Sequence, residues 1–352
     1  MKIVHIESGL GNQMLSYCEY LALRKMNPND DIYLETIIYD IPECNDYICQ
    51  WNGYELERIF GIKEPKNIRD IIPNDKWQEL MREIRSSYFW VHNWNYPIAF
   101  TNAFKKIGIY LENIRGDFDP NNNIITGEPE KLNIIKKILY STPIAYTIKR
   151  WYYKFKKDEI IKSQNKRDIL FIKTDKNIFT GQWLSFKLKG NDRFLIDDYI
   201  RKVFTFPQFT DKRNLDLERE LKSCNSVAIH ARRGDMESSL AWCYKYGYFK
   251  RAVSHIRKNV ENPVFVFFTN TGSIEWCKEN EKIFGLNFKK DKVIFVDWNI
   301  GEDSYRDMQL MGCCKHAIIT SSSFGWWGAY FIENPNKITI SPEITIDTTY
   351  HC

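Results

Sequence analysis

Apolar and polar positions alternate in regular blocks along the C-terminal part of the chain. Short apolar runs lie at 226–231, 264–269, 292–296, 317–320 and 337–341. Between them, the spacing predicts helices around 244–260, 273–284, 303–314 and 325–333. Strands and helices that alternate in this way are typical of a parallel sheet wrapped by helices. The pattern therefore predicts a compact Rossmann-like domain over residues 216–341.

The N-terminal residues carry a second signal of the same kind. Residues 2–6 form a short apolar strand, Gly9 and Gly11 predict a tight loop, and Leu15, Cys18 and Leu21 mark one face of a helix over 14–25. The loop has neither the full G-x-G-x-x-G fingerprint nor a P-loop lysine, which argues against a dinucleotide or ATP site there.

A chain of 352 residues is too long for one ordinary core and favours two domains. We place the N-terminal domain at 1–215 and interrupt it with an irregular and helical insertion at about 65–165. The C-terminal domain then occupies 216–341, and residues 342–352 form a tail.

A cluster of charged side chains follows the predicted strand at 226–231. His230, Arg232, Arg233 and Asp235 come at its carboxyl end, which is the edge where open α/β sheets bind ligands. The planar guanidinium group of arginine suits bidentate contacts with phosphate. Because side chains alternate along a strand, we expect one arginine to bind a ligand and the other to stabilise the loop. A surface arginine–aspartate ion pair explains this segment alone equally well.

A serine-rich turn follows the strand at 317–320. Ser321–Ser323 precede an aromatic helix, and hydroxyls and free N–H groups at a helix N-terminus form a ready anion site. The alternative is that the serines only cap the helix. Beside Arg232, this turn would surround a diphosphate with donors from both sides. We assign Trp326 and Trp327 to the core.

Composition argues against a nucleic-acid-binding, zinc-binding or membrane-spanning protein. The net charge of +5 fits an anionic nucleotide donor and is too small and dispersed to favour nucleic acid. Nine scattered cysteines have no zinc spacing. We find no secretory signal and no membrane-spanning apolar run, and we expect a cytoplasmic protein.

The strongest basic cluster lies at 146–167. Ile148, Trp151, Tyr152 and Phe155 share one predicted helical face, and lysines and arginines crowd the rest. Such a helix can lie on an anionic membrane surface, near a lipid-linked glycan acceptor. The alternative, a solvated helix that packs its aromatic face on the protein, stays open.

Several motifs together resemble the bacterial α1,2-fucosyltransferase family. They are Gly9-Leu-Gly-Asn-Gln13, Gly181-Gln-Trp, His-x-Arg-Arg-Gly-Asp at 230–235, Ile274-Glu-Trp-Cys-Lys278, 307–315 and Ser-Ser-Phe-x-Trp-Trp-Gly-Ala at 322–329. The resemblance implies an α/β, GT-B-like fold of two Rossmann-like domains with an interdomain cleft, and a C-terminal tail that crosses back to the first domain. It also implies GDP-fucose as donor, inversion at the anomeric carbon, no required metal or cofactor, and O2 of a terminal galactoside on a surface glycan as acceptor.

The site residues follow from these motifs. For catalysis we assign Arg232 to the leaving diphosphate, Asp235 or Glu237 to the acceptor proton, and Asn12 to a phosphate or the acceptor hydroxyl. The predicted donor-binding residues are Gly9, Gly11, His230, Arg233, Asn270, Ser322, Ser323 and Phe324.

The chain departs from the family pattern at three places that concern the site, one of which is Ser321 where asparagine is usual. Thr269-Asn270-Thr271 replaces a common Ser-Asp-Asp, so two negative charges are missing, and Gly325 stands where serine is common. Another linkage, another GDP-sugar and a non-catalytic glycan-binding protein remain as alternatives.

Overall fold

A computed structural model describes residues 1–46, 52–63, 66–91, 94–118, 124–126, 151, 155–156, 173–181, 197–233, 243–270 and 272–342. Two sheets organise these residues, and each has five strands in the described part of the chain. Helices cover both sheets, which makes the protein α/β.

The first sheet is mostly parallel and has the order β2-β1-β5-β3-β4. Only β4 runs antiparallel to its neighbour, β3. The strands are β1 Lys2–His5, β2 Ile32–Glu35, β3 Glu112–Phe118, β4 Ile124–Thr126 and β5 Ile178–Thr180. The helices of this half are α1 Leu10–Met26, α2 Leu56–Phe60, α3 Asn74–Ser86, α4 Tyr96–Lys106 and α5 Asp197–Val203.

Strand β1 lies at the centre of this half because both of its faces are covered. Val4 belongs to the core cluster that includes α1, whereas Ile3 belongs to the cluster that includes α3 and α4. The alternation of side chains places His5 on the same face as Ile3. All four residues of β1 are buried.

The second sheet is wholly parallel in its described pairs and has the order β10-β9-β6-β7-β8. Its strands are β6 Asn225–Ala231, β7 Pro263–Thr269, β8 Lys292–Phe295, β9 His316–Ile319 and β10 Thr339–Ile340. The helices are α6 Lys212–Ser223, α7 Tyr248–Asn259, α8 Ile274–Glu279, α9 Glu281–Phe284, α10 Tyr305–Cys313 and α11 Ser323–Phe331.

The two sheets confirm the predicted α/β fold with two Rossmann-like halves. In the C-terminal half, the predicted strands agree with the observed ones to within about two residues. The helix predicted at 273–284 is two helices that meet at Asn280, whose backbone leaves the helical region (φ −115°, ψ 35°). The tail beyond 342 and the domain boundaries themselves stay predictions.

The N-terminal half differs more from the prediction. Helix α1 begins at Leu10 instead of residue 14, so Gly11 lies in its first turn and not in a loop. The Leu10 backbone N–H faces the carboxyl group of Glu55, a residue distant in sequence, and favours the charged form of that group. The segment assigned to an insertion contributes α3 and α4, and it also supplies β3 and β4 to the first sheet.

The two halves meet where α1 packs against α11. Trp327 Nε1 donates to the Gly11 carbonyl at 3.0 Å. A Cβ on Gly11 would lie 2.7 Å from the Phe324 nitrogen and 2.7 Å from Ser323 Oγ. Only glycine therefore allows the two helices to approach this closely.

A second contact bridges the two halves further along the cleft. Asn52 Nδ2 donates to the Gly301 carbonyl at 3.0 Å and to Ser304 Oγ at 3.1 Å, and Arg58 donates to the Glu302 carbonyl at 2.9 Å. The relative position of the two sheets is therefore fixed at two places.

We expect Gly11→Ala to lower the free energy of unfolding by about 1–3 kcal/mol, because the new methyl group overpacks backbone atoms that cannot move aside. Urea denaturation measures the change. Gly9→Ala is the matched control: a Cβ there meets nothing within 4 Å, and the backbone is extended (φ −78°). We expect that control to stay within about 0.5 kcal/mol. Equal stability of the two variants would contradict the close approach.

Candidate active site

A cavity of about 860 Å³ lies between the two halves. It opens where the carboxyl ends of β1, β6, β7 and β9 meet, which is the ligand-binding edge of parallel sheets. Its volume falls in the range of small-molecule sites. The predicted site residues that line it are Gly9, Gly11, Asn12, His230, Arg232, Asn270, Ser322, Ser323 and Phe324.

Arg232 enters the cavity directly after β6. Its side chain is half-buried, and its carbonyl accepts a hydrogen bond from the Tyr244 hydroxyl at 2.6 Å. The strand end is thus tied to the segment that leads into α7. A fixed backbone at this position lets the guanidinium present its donors without a large entropic cost.

The serine turn forms the facing wall of the cavity. Ser322 is the N-cap residue of α11, and its side chain makes no capping hydrogen bond. Ser323 Oγ donates to Asn12 Oδ1 at 2.5 Å, so the two halves share a hydrogen bond at the cavity wall. The first N–H groups of α11 have no partner within the helix, and their dipoles favour an anion.

Arg233 lies elsewhere. Its guanidinium carbon is 3.5 Å from the ring centroid of Trp276 and 5.6 Å from that of Tyr244, and it is absent from the cavity lining. Its backbone N–H donates to Asn270 Oδ1 at 2.8 Å. Asn270 therefore holds the backbone of Arg233, and the assignment of both residues to donor binding stays a prediction.

His230 forms a neutral part of the cavity wall. Burial and, to a lesser extent, the charge of Arg232 lower its pKa to about 3. The ring stacks on Phe324 with centroids 5.7 Å apart. Nδ1 has no hydrogen-bond partner among the described residues, and a Cβ on residue 325 would lie 2.4 Å from it. Gly325 therefore makes room for this imidazole.

Asp307 and Asn299 are polar residues of the cavity that were not selected from the sequence. Asp307, in the first turn of α10, accepts a hydrogen bond from Asn299 Nδ2 at 2.8 Å. Asn214 in turn donates to Asn299 Oδ1 at 2.9 Å. Burial raises the pKa of Asp307 to about 8. The 307–315 motif contained this aspartate. It was not selected because acidic residues are common in the first turn of a helix, where the helix dipole favours them.

The two bases predicted from the sequence, Asp235 and Glu237, lie outside the described residues. In the part of the chain that the structure describes, no group of three or more histidine, cysteine, aspartate or glutamate side chains could hold a metal ion. No helix within the described ranges has both the length and the apolar character to cross a membrane.

Comparison with known proteins shows the family. The family model described as glycosyl transferase family 11 matches residues 123–351, which is well over half of the chain. The protein therefore belongs to glycosyl transferase family 11, and the resemblance found in the sequence is confirmed.

Curated relatives agree with this assignment. An α-1,2-colitosyltransferase of Escherichia coli is 32% identical over 172 residues, which are 47% of this chain and 54% of that protein. Galactoside α-(1,2)-fucosyltransferase 2 of Rattus norvegicus is 32% identical over 109 residues, 30% of this chain and 29% of that one. The chain spans about half or less of the length of the curated relatives it matches.

Among solved structures, the chain is similar to NodZ α-1,6-fucosyltransferase soaked with GDP-fucose. The match has a TM-score of 0.42 and 14% identity, and it covers 93% of this chain and 90% of that one. Because the score and identity are low, we draw nothing from this likeness.

The raised pKa of Asp307 predicts a pH-dependent contribution to stability. A carboxyl group whose pKa rises from 3.8 to about 8 on folding stabilises the fold fully below pH 3.8, and this contribution is lost as the pH rises toward 8. We expect Asp307→Asn to remove this pH-dependent contribution. The difference in unfolding free energy between variant and wild type should therefore change between about pH 4 and pH 8. Asp303→Asn, at an exposed site, is the control. Curves that stay parallel for Asp307→Asn would contradict the raised pKa.

Proposed function

We propose that the protein transfers L-fucose from GDP-fucose to a hydroxyl group of a glycan, with inversion at the anomeric carbon and without a required metal. The acceptor position is O2 of a terminal galactoside on a surface glycan or an oligosaccharide. One observation carries this proposal: Arg232 and the serine turn at 322–323 line the same cavity from opposite elements.

The chemistry needs donors for the leaving diphosphate. As the bond between fucose C1 and the phosphate oxygen breaks, its electron pair passes to GDP, and negative charge grows on the diphosphate. The guanidinium group of Arg232, the hydroxyl of Ser322 and the first N–H groups of α11 can each donate to it. Fixed donors in a half-buried site lower the barrier because they need no reorganisation.

The nucleoside end of the donor fits the other end of the cavity. The Watson–Crick edge of guanine presents N1–H and N2–H₂ donors, which would favour the ionised form of the Asp307 carboxyl group, and that form can accept from both. Asn299 holds that carboxyl group in place. With Asn270 and Thr271 where acidic residues are common, Asp307 is an acidic side chain of the cavity that can meet the base.

The relatives support the linkage and widen the choice of sugar. The rat relative is named a galactoside α-(1,2)-fucosyltransferase, and the Escherichia coli relative an α-1,2-colitosyltransferase. GDP-colitose is therefore the second donor candidate. A non-catalytic glycan-binding protein would not need an arginine facing a serine turn.

Incubation with GDP-fucose or GDP-colitose and a panel of β-galactosides tests the function, with linkage analysis of the product. We expect an α1,2-linked product and thermal stabilisation by GDP. Arg232→Ala should lower kcat by on the order of 10²–10³-fold in the folded protein, and Arg232→Lys should not restore it because the planar guanidinium group is lost. Arg219→Ala, at an exposed site, is the control. Full turnover by Arg232→Ala would refute the assignment. A melting temperature that GDP does not raise would favour a glycan-binding protein without transferase activity.

We further propose that the enzyme works in the cytoplasm and that residues 146–167 dock it on the membrane near a lipid-linked acceptor. Most of this segment lies outside the described residues. Trp151 and Phe155 support the proposal because their side chains are 62% and 75% exposed. The seven described cysteines are free thiols, as in a reducing compartment.

Liposome flotation tests the membrane proposal. We expect the protein to float with vesicles that contain anionic lipid and to dissociate at high salt, since lysines and arginines provide the attraction. Trp151→Ser combined with Phe155→Ser should reduce the floated fraction severalfold. Equal flotation with neutral and anionic vesicles, or none, would contradict this proposal.

A further inference from the structure

A buried ion cluster lies below the cavity on the face of β1 that α4 covers. His5 is fully buried, and its Nδ1 lies 2.5 Å from Glu35 Oε2 on the neighbouring strand. Glu35 also accepts a hydrogen bond from the backbone N–H of Ile37. The imidazole stacks on Tyr96 with ring centroids 4.1 Å apart. The ring can therefore neither rotate nor reach water.

The second nitrogen of His5 points toward Glu7. The distance from His5 Nε2 to Glu7 Oε2 is 3.7 Å, and Nε2 has no hydrogen-bond partner among the described residues. Burial lowers the pKa of His5, but the charges of Glu35 and Glu7 and the hydrogen bond with Glu35 raise it to about 9. The cluster at neutral pH is thus an imidazolium between two carboxylates.

Glu7 is held from the other side by Trp94. Trp94 Nε1 donates to Glu7 Oε2 at 2.6 Å, and the Glu7 side chain keeps 13% of its surface exposed. Unlike Glu35, which is fully buried, this carboxylate can meet a ligand. It is fixed by one neutral donor and one positive charge, and lone pairs remain for a further hydrogen bond.

The backbone on both sides of this carboxylate has an uncommon conformation. Ser8 (φ 64°) and Trp94 (φ 56°) are non-glycine residues with positive φ. The Ser8 carbonyl accepts from Gln13 Nε2 at 3.0 Å and from the Tyr39 hydroxyl at 2.8 Å, which locks the conformation. Such positions concentrate at functional sites.

Glu7 directly precedes residues of the cavity wall, although its own side chain is not part of the lining. It follows β1 at the carboxyl end of the first sheet, and the next residues, Ser8 and Gly9, line the cavity itself. The diphosphate donors Arg232 and Ser322 belong to the opposite half. An acceptor that attacks fucose from the side away from the leaving group therefore approaches from the half that carries Glu7.

We propose that Glu7 is a catalytic carboxylate that binds the acceptor hydroxyl and takes its proton, and that His5, paired with Glu35, is the positioning residue that holds it. This inference rests on the proposed function. The acceptor oxygen forms its bond to fucose C1, the bond from C1 to the phosphate oxygen breaks, the electron pair leaves with GDP, and the acceptor proton passes to Glu7. Solvent then removes the proton.

Glu7→Gln tests the catalytic role because it keeps the shape of the side chain and removes its basicity. We expect kcat to fall by on the order of 10²-fold or more, as for loss of a general base, with the affinity for GDP unchanged. We expect a smaller decrease in kcat for Asp235→Asn and Glu237→Gln, measured under the same conditions. Glu43→Gln, at an exposed site of the same half, is the matched control.

Turnover by Glu7→Gln within threefold of wild type would overturn the proposal, as would an equal loss of GDP affinity. If wild type transfers no sugar, the proposed function fails instead, so the two failures are distinguishable. Trp94→Phe provides a second variant that keeps the charges and removes one donor to Glu7, and we expect about a tenfold lower kcat.

His5→Gln tests the positioning role through the pH profile. The groups that face His5 are Glu35 from β2, Glu7 from the end of β1 and Tyr96 from α4. Because the imidazolium loses its proton near pH 9, wild-type kcat should fall through that pH. His5→Gln should have a lower kcat at neutral pH without this alkaline decrease. An unchanged alkaline limb in a folded variant would reject the role of His5.

Discussion

The site depends on the close approach of α1 and α11. Gly11 leaves no room for a side chain against Phe324, and Trp327 closes the contact from the other helix. This contact brings Asn12 within hydrogen-bond distance of Ser323 and so aligns the ligand-binding edges of both sheets. If the helices separated, the residues of the cavity would remain, but those of the two halves would no longer face one ligand.

Burial and neighbouring carboxylates together set the charges of the buried groups in the two halves. In the C-terminal half, His230 stays neutral and the pKa of Asp307 is raised, so these two buried groups add little charge beside Arg232. In the N-terminal half, His5 is held charged by its carboxylate neighbours. An anionic leaving group and a hydroxyl that loses a proton need these two different environments, and each half supplies one of them.

The sequence predicted those parts of the site whose signal is local. The segment that ends at Arg232 and the serine turn at 322–323 each contain a strand and a turn within about ten residues, and periodicity finds both. The N-terminal half was harder to predict. Strand β5 has three residues, and α1 begins at Leu10, inside the segment whose glycines predicted a loop.

Residues that function through distant partners were missed for the same reason. His5 and Glu35 are 30 positions apart, and Glu7 and Trp94 are 87 apart. Each is an ordinary strand or loop residue by itself. Only the register of β1 with β2 and the fold of the loop before α4 bring these side chains together, and a single sequence encodes neither in a local pattern.

A crystal structure of the protein with GDP tests the central claim most directly. We expect the diphosphate in the cavity between the halves, with its oxygens about 2.7–2.9 Å from the guanidinium of Arg232 and within hydrogen-bond distance of Ser322 and Ser323. A diphosphate bound outside this cavity, or one held by Arg233 beside Trp276 without contact to the serine turn, would contradict the account.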